Sequence, residues 1–280
     1  MRIAMSVTAM AVCLGLLAGT ALAGPVAPGF AGSTFAANDD GATGAIGLGF
    51  SANFYGTTYS TAYVSNNGYI TFNDGQGSYT PSGLGAGYSG QPIIAAFFAD
   101  VDTRGAGSAL TSYGTGTYMG YQAFGATWPG VGYFPSQDNL LNAFQILMTN
   151  RSDTGAGNFD IYLNYNQILW ETGSASGGTG GFGGVSAAAG FNAGQAGNPD
   201  GTYYQFPGSL VNGALIDGGP NSLTANTNDG VTGQYIFQVR NGTIVVPPVT
   251  TVPEPASMAM FGMGLVGLGM VRRRRGRSRG

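Results

Sequence analysis

The stretch Phe159-Asp160-Ile161-Tyr162-Leu163-Asn164-Tyr165-Asn166 alternates with a period of two. Phe159, Ile161, Leu163 and Tyr165 fall on one face of an extended chain, and Asp160, Tyr162, Asn164 and Asn166 on the other, which is the pattern of a half-buried β-strand. The same period returns on either side of it. Phe144, Ile146 and Met148 alternate before it, and Tyr235, Phe237 and Val239 alternate with Ile236, Gln238 and Arg240 after it. Residues 62–65, the turn Asn66-Asn67-Gly68 and residues 69–72 read as a hairpin, because Asn and Gly tolerate the positive φ of tight turns. Residues 93–99 form a continuous apolar run, as expected of a strand buried on both faces. No amphipathic helix pattern stands between Gly24 and Val252. Short strands at this spacing argue for a sandwich or barrel, and the expectation is all-β: a single β-sandwich-like domain, rich in glycine turns, over residues 30–242.

Composition supports a folded chain. With 51 glycines and 8% charged residues, the polar surface must come mainly from Gly, Ser, Thr and Asn. Disordered sequence is poor in aromatics, yet 15 tyrosines and 16 phenylalanines are spread among the glycines. All ten basic residues are arginine; six lie in the C-terminal tail and one in the first 23 residues, which leaves Arg104, Arg151 and Arg240. Thirteen residues are acidic, and Glu254 alone among them lies in the tail, so the central chain carries a net charge of −9. Three scattered arginines on a negative surface cannot make multi-site phosphate contacts, so nucleic acid is excluded as a partner.

The chemistry open to the chain is narrow. Histidine is absent, which removes serine–histidine triads and histidine-ligated zinc. Lysine is absent too, so no Schiff base can form. Carboxylates remain. On a strand Asp100 and Asp102 point to one face together with Arg104. A glycosidase pair needs two carboxylates facing across a sugar cleft, and nothing in the sequence predicts a cleft, so the expectation is a protein that is not an enzyme. Calcium is another use for such residues, with Asp100 and Asp102, or the 153–158 loop (Asp153) with Asp160, as candidate ligands. Neither set has EF-hand spacing, and the competing reading pairs Arg104 and Arg151 with neighbouring aspartates. No cofactor is otherwise expected. Trp128 and Trp170 are candidates for sugar stacking or for the core.

Both ends carry targeting features. Residues 1–23 have Arg2, an apolar stretch from Val7 to Leu17, and small residues at Ala21 and Ala23, as in a signal peptide cleaved before Gly24 by signal peptidase. The single cysteine, Cys13, lies inside this segment, so the mature chain is expected to fold without disulfides. Residues 243–252 read as an extended Pro/Thr/Val linker. Beyond it, residues 253–280 hold Val252-Pro253-Glu254-Pro255 at their border, an apolar run over 256–271 read as a transmembrane helix, and Arg272, Arg273, Arg274 and Arg275, which the positive-inside rule keeps cytoplasmic.

This order of Val-Pro-Glu-Pro, apolar helix and arginine cluster resembles a PEP-CTERM sorting signal. The resemblance implies recognition at the inner membrane by an exosortase-type enzyme, processing near Pro253-Glu254-Pro255, and delivery to the cell surface or extracellular matrix of a bacterium that makes exopolysaccharide. A second resemblance lies in the centre. Phe54-Tyr55-Gly56, the run from Tyr63 to Phe72, Ala96 to Arg104, Trp128 with Val131 to Phe134, Asn142 to Gln145, Ile168-Leu169-Trp170, Ala189 to Gly194, Pro207-Gly208-Ser209 and Tyr235 to Arg240 follow one another as in a nidogen-like (NIDO) domain. That family's animal members are extracellular modules associated with cell–matrix adhesion. No EGF-like or other neighbouring domain is expected beside it. What the resemblance implies is an interaction module: a structural or adhesive surface protein, associated with biofilm, whose partners are extracellular polysaccharide or surface proteins. A specific carbohydrate-binding module and a carboxylate hydrolase are the alternatives.

Overall fold

The structure, a computed structural model, describes residues 24–251. Its first strands are β1 (Ser33–Thr34), β2 (Ile46–Phe54), β3 (Thr57–Val64), β4 (Tyr69–Thr71), β5 (Ile93–Phe98) and β6 (Val101–Asp102). Four strands follow: β7 (Ser112–Tyr118), β8 (Tyr121–Tyr133), β9 (Gln137–Asn150) and β10 (Phe159–Gln167). The chain ends with β11 (Ala188–Asn192), β12 (Tyr203–Gln205), β13 (Asn226–Thr227), β14 (Gln234–Arg240), β15 (Thr243–Val245) and β16 (Thr250–Thr251). A single 3-10 turn, Ser174–Ser176, is the only helical element among the described residues. The described residues are all-β.

Two antiparallel sheets share one core. The large sheet runs β1-β7-β8-β9-β10-β14-β15, with β6 also paired to β8, and the small sheet runs β12-β11-β5-β4-β3-β2. The period-two sequences supply the facing surfaces. Phe144, Ile146 and Met148 of β9, Phe159, Ile161, Leu163 and Tyr165 of β10, and Tyr235, Phe237 and Val239 of β14 join Leu48, Phe54, Val64, Ile70 and Ile94 of the small sheet in one buried cluster. Aromatic pairs bridge the layers, with ring centroids 5.6 Å apart for Phe97–Phe144 and 5.1 Å for Phe191–Phe237. Each such side chain contributes about 1.5–3 kcal/mol through burial, which is how the domain is held without a disulfide.

The outer faces are less open than period-two alternation predicts. Asp160, Tyr162 and Asn164, expected toward solvent, are all buried. Residues 26–30 lie across this face of the large sheet, with Phe30 packed against Ala123, Leu147 and Tyr162. Ala27 N–H donates to Gln145 Oε1 (3.0 Å), and Gln145 Nε2 donates back to Ala27 O (2.8 Å). On the small sheet, Leu84 and Tyr88 of the long β4–β5 connection cover Ile93, Ala95 and Phe98, so β5 is buried on both faces as its apolar run predicts.

Part of the segment 243–252, expected as an extended linker, pairs with the fold. Thr243–Val245 adds β15 to β14, and Thr250–Thr251 pairs with β13. Among the described residues no helix is long and apolar enough to cross a membrane. The signal segment with Ala21 and Ala23, and Val252, Pro253, Glu254, Pro255, the 256–271 run and Arg272 to Arg275, lie outside the described residues.

Candidate functional site: an acidic cluster where the two sheets meet

Asp100 sits in the turn by which the chain leaves β5 of the small sheet and enters β6 of the large one. Val101 N–H donates to Ala99 O (2.9 Å), which closes a three-residue turn centred on Asp100. Two asparagines of the β3–β4 hairpin hold that turn. Asn67 Oδ1 accepts from Val101 N–H (2.9 Å), while Asn66 Nδ2 donates to Val101 O (2.5 Å) and to Asp39 O (2.6 Å). Both side chains are fully buried and stand in for backbone partners that irregular chain lacks. Next to them Gly68 has φ +84°, and a Cβ there would collide with the carbonyl oxygen of Phe97. The hairpin signal is thus also the scaffold of the site.

The tie to Asp39 brings the 38–41 loop alongside. One carboxylate oxygen each from Asp39, Asp40 and Asp100 lie within 4.8 Å of one another. Asn67 Nδ2 donates to Asp40 Oδ1 (3.0 Å), and Arg104 Nη2 donates to Asp39 Oδ2 (2.9 Å). Asp39 Oδ1 and Asp100 Oδ2 are buried without any hydrogen-bond partner. Asp100 is 2% exposed, whereas Asp40 is open to solvent. Burial first, then repulsion from Asp39, Asp40 and Asp102, pushes the Asp100 carboxyl up to about 7. Burial, then Asp102 and Asp40, raises Asp39 to about 6, with Arg104 acting against the rise.

Asp102 has the opposite environment. Its Oδ1 accepts from Arg104 N–H (2.9 Å) and Arg104 Nε (2.8 Å), and its Oδ2 from Arg104 Nη2 (2.6 Å) and Ser136 N–H (2.7 Å). Burial alone raises its pKa, but these hydrogen bonds outweigh it and hold the group below the usual range. Asp100 and Asp102 were expected on one face with Arg104. The turn at Asp100 breaks the strand, so Asp102 meets the arginine and Asp100 is turned toward Asp39 and Asp40.

The second candidate set is filled by guanidinium groups. Asp160 lies between Arg151 Nη1 (2.8 Å from Oδ2) and Arg240 Nη1 (2.6 Å from Oδ1), and Arg151 Nε also holds Asp153 Oδ1 (3.0 Å). Arg240 Nη1 directs its hydrogen bonds at the carbonyls of Phe159 and Val239, so its contact with Asp160 is ionic rather than a directed bond. With a positive side chain on each flank, Asp153 and Asp160 do not make a cation site. Trp128 and Trp170 are fully buried, and their indole N–H groups donate to Asn66 O (2.9 Å) and Val131 O (3.0 Å). Neither presents a face to a sugar. The stacking reading is corrected to a packing one, because each ring closes the core beside Phe144 or Phe97.

Two surface clefts, of about 550 and 250 Å³, are lined by residues such as Phe30, Leu110 and Pro129 and by Tyr133, Pro135 and Thr179, with no carboxylate in either. Asp39 and Asp40 are members of the cluster that sequence reasoning missed. The one local sign is a pair of adjacent acids between Asn38 and Gly41. Their meeting with Asp100 is a tertiary event.

Comparison with known proteins gives a consistent setting. The nidogen-like domain family matches residues 60–118 and 114–241. The PEP-CTERM protein-sorting motif matches residues 251–275. The chain is similar to alpha-tectorin of Mus musculus, 31% identical over 223 residues, covering 72% of this chain and 10% of that protein. It is similar to alpha-tectorin of Gallus gallus at 28% over 250 residues, covering 81% and 11%. Nidogen of Drosophila melanogaster is 29% identical over 214 residues, covering 66% and 14%. The matched region is thus a small fraction of the length of these curated relatives. No solved structure matches the chain.

Proposed function

The chain belongs to the nidogen-like domain family, and from that premise we propose that it is a structural or adhesive protein of the bacterial surface and extracellular matrix, not an enzyme. The observation that carries this reading is the pairing, in one chain, of a nidogen-like domain with a PEP-CTERM protein-sorting motif, the mark of an exported protein. Residues 1–23 act as the export signal. Residues 256–271 and the following arginines hold the precursor in the inner membrane until an exosortase-type enzyme acts near Pro253-Glu254-Pro255. The released domain then binds exopolysaccharide, another surface protein or a second copy of itself within a biofilm. The buried tryptophans and the absence of carboxylates from the two clefts weigh against the carbohydrate-module and hydrolase alternatives.

Intact-mass spectrometry of the protein recovered from its host, envelope against culture medium, tests the processing. The expected mass begins at Gly24 and ends near Pro253. A mature protein that retains Arg272 to Arg279 would leave a membrane-anchored surface protein and remove the sorting step. Adhesion is tested by deleting the chain and measuring polysaccharide-dependent surface attachment, which is expected to fall. Unchanged attachment counts against the adhesive role.

A further inference from the structure

We propose that Asp39, Asp40 and Asp100 form a calcium-binding site that ties the 38–41 loop to the crossing between the two sheets. Geometry is the first argument. Three carboxylates from two separate segments bring an oxygen each within 4.8 Å of the others, a spacing one cation can bridge. A second observation is independent of clustering. Asp100 is 2% exposed, and its Oδ2 is buried with no hydrogen-bond partner, as is Asp39 Oδ1. Charged oxygens removed from water without partners are costly, and a bound ion supplies the missing partner.

Charge balance points the same way. Asp39, Asp40, Asp100 and Asp102 share one guanidinium, Arg104, which is engaged by both oxygens of Asp102 and by Asp39 Oδ2. One positive charge against four carboxylates leaves the cluster with excess negative charge.

Donor chemistry selects the ion. The cluster offers only oxygen, in a chain without histidine and with its sole cysteine at position 13, so thiophilic and imidazole-seeking metals have no ligands here. Loop-borne carboxylates with a solvent-open member suit the flexible, partly hydrated shell of calcium better than the strict octahedron of magnesium. Asp40, exposed, gives the ion its entrance, while Asn67 and Asn66 position the two segments. The inference stands on these residues and not on the adhesive role.

The test uses the full-length chain in detergent at pH 7.5, with calcium chloride as the probe after EGTA treatment. Equilibrium dialysis is expected to give one calcium per chain, with a dissociation constant in the range of about 10⁻⁴–10⁻³ M typical of extracellular modules, and calcium is expected to raise the melting temperature. Asp100→Asn and Asp40→Asn should each weaken binding by about tenfold or more, since each removes a charged ligand. Asp40 is exposed, so its variant keeps the test decisive where Asp100→Asn fails to fold. Asp200→Asn, an exposed acid outside the cluster, should bind as the parent does. No binding up to about 10 mM calcium, ten times the weak end of that range, overturns the proposal. So does equal binding by Asp40→Asn, or equal loss in Asp200→Asn. Stabilisation by acid but not by calcium identifies a shared proton in place of the ion and overturns it as well.

Discussion

A carboxyl group buried in a sandwich reaches stability through its partners or through a proton, and Asp102 and Glu171 show the two routes. Asp102 receives four close hydrogen bonds and stays ionised, so its contribution is present above the ordinary aspartate value and lost only as pH falls through its lowered folded value. Glu171 accepts one, from Gly213 N–H to Oε1 (2.6 Å), and its Oε2 has none. Burial therefore raises its pKa, with Gly213 and Ser186 acting against the rise. The folded state then binds the proton more tightly than the unfolded one, and Glu171 contributes stability below its ordinary value that is lost as pH rises through the folded value. Glu171→Gln is expected to flatten the fall in melting temperature between pH 4.5 and neutrality; an unchanged slope would mean that Glu171 does not titrate there. At Gly68 the constraint is steric. Gly68→Ala adds positive-φ strain to a clash with Phe97 O and is expected to cost about 1–3 kcal/mol in a urea melt, with loosening of the Asn66–Asn67 latch. At this scale the sequence was legible where neighbours were enough. The Asp102–Arg104 pair follows from period two, but the divergence of Asp100 depends on a turn that no local pattern announced.

Strand β10 carries a feature that only register makes visible. Thr127, Gln145, Asn164 and Gln234 stand opposite one another across β8, β9, β10 and β14. Gln145 Nε2 donates to Thr127 Oγ1 (2.8 Å), Asn164 Nδ2 to Gln145 Oε1 (3.1 Å) and Gln234 Nε2 to Asn164 Oδ1 (2.9 Å). This row lets polar residues lie buried on the outer face, since each amide is satisfied by the next. The alternation predicted the strands and their inner face; it assigned the outer face to water because the covering segment, 26–30, is remote in sequence from them. Gln145→Ala removes the central member and leaves Asn164, Thr127 and Ala27 short of partners, so a loss of about 1–3 kcal/mol per group left unpaired bounds the effect. A chemical melt with unchanged m-value and lower midpoint is the expected readout. A midpoint unmoved by Gln145→Ala would mean that water replaces the amide and that the row does not support the sheet.

The whole molecule closes its sheets with short or interrupted edges and a strap. Edge strands β1, β12 and β15 are two or three residues long, and β2 is broken in register between Gly47 and Ala52, so little flat edge is offered to another chain. Between residues 24 and 251 there is no cysteine, hence a reductant should leave the melting temperature of the processed protein unchanged. Stability must then come from packing, and the strap is its most dispensable-looking part by sequence: residues 26–30 lie two residues past the expected cleavage point and include Pro28 and Gly29. The structure gives it a seat instead. Gly125 lies directly beneath Phe30, where any Cβ would enter the ring's space, and Gly116 crowds the same ring from β7. Glycine in strand interiors costs stability unless something packs into the gap, and here Phe30 does. Phe30→Ala empties that seat and uncovers Leu147 and Tyr162, with an expected cost of about 3–5 kcal/mol. For a domain of this size that lowers the melting temperature by roughly 2–4 °C per kcal/mol. Met119→Ala, on a side chain 72% exposed, serves as the control and should move it little. If Phe30→Ala melts with the parent, the strap lies on the sheet without holding it, and Gly125 and Gly116 must be explained by something other than Phe30.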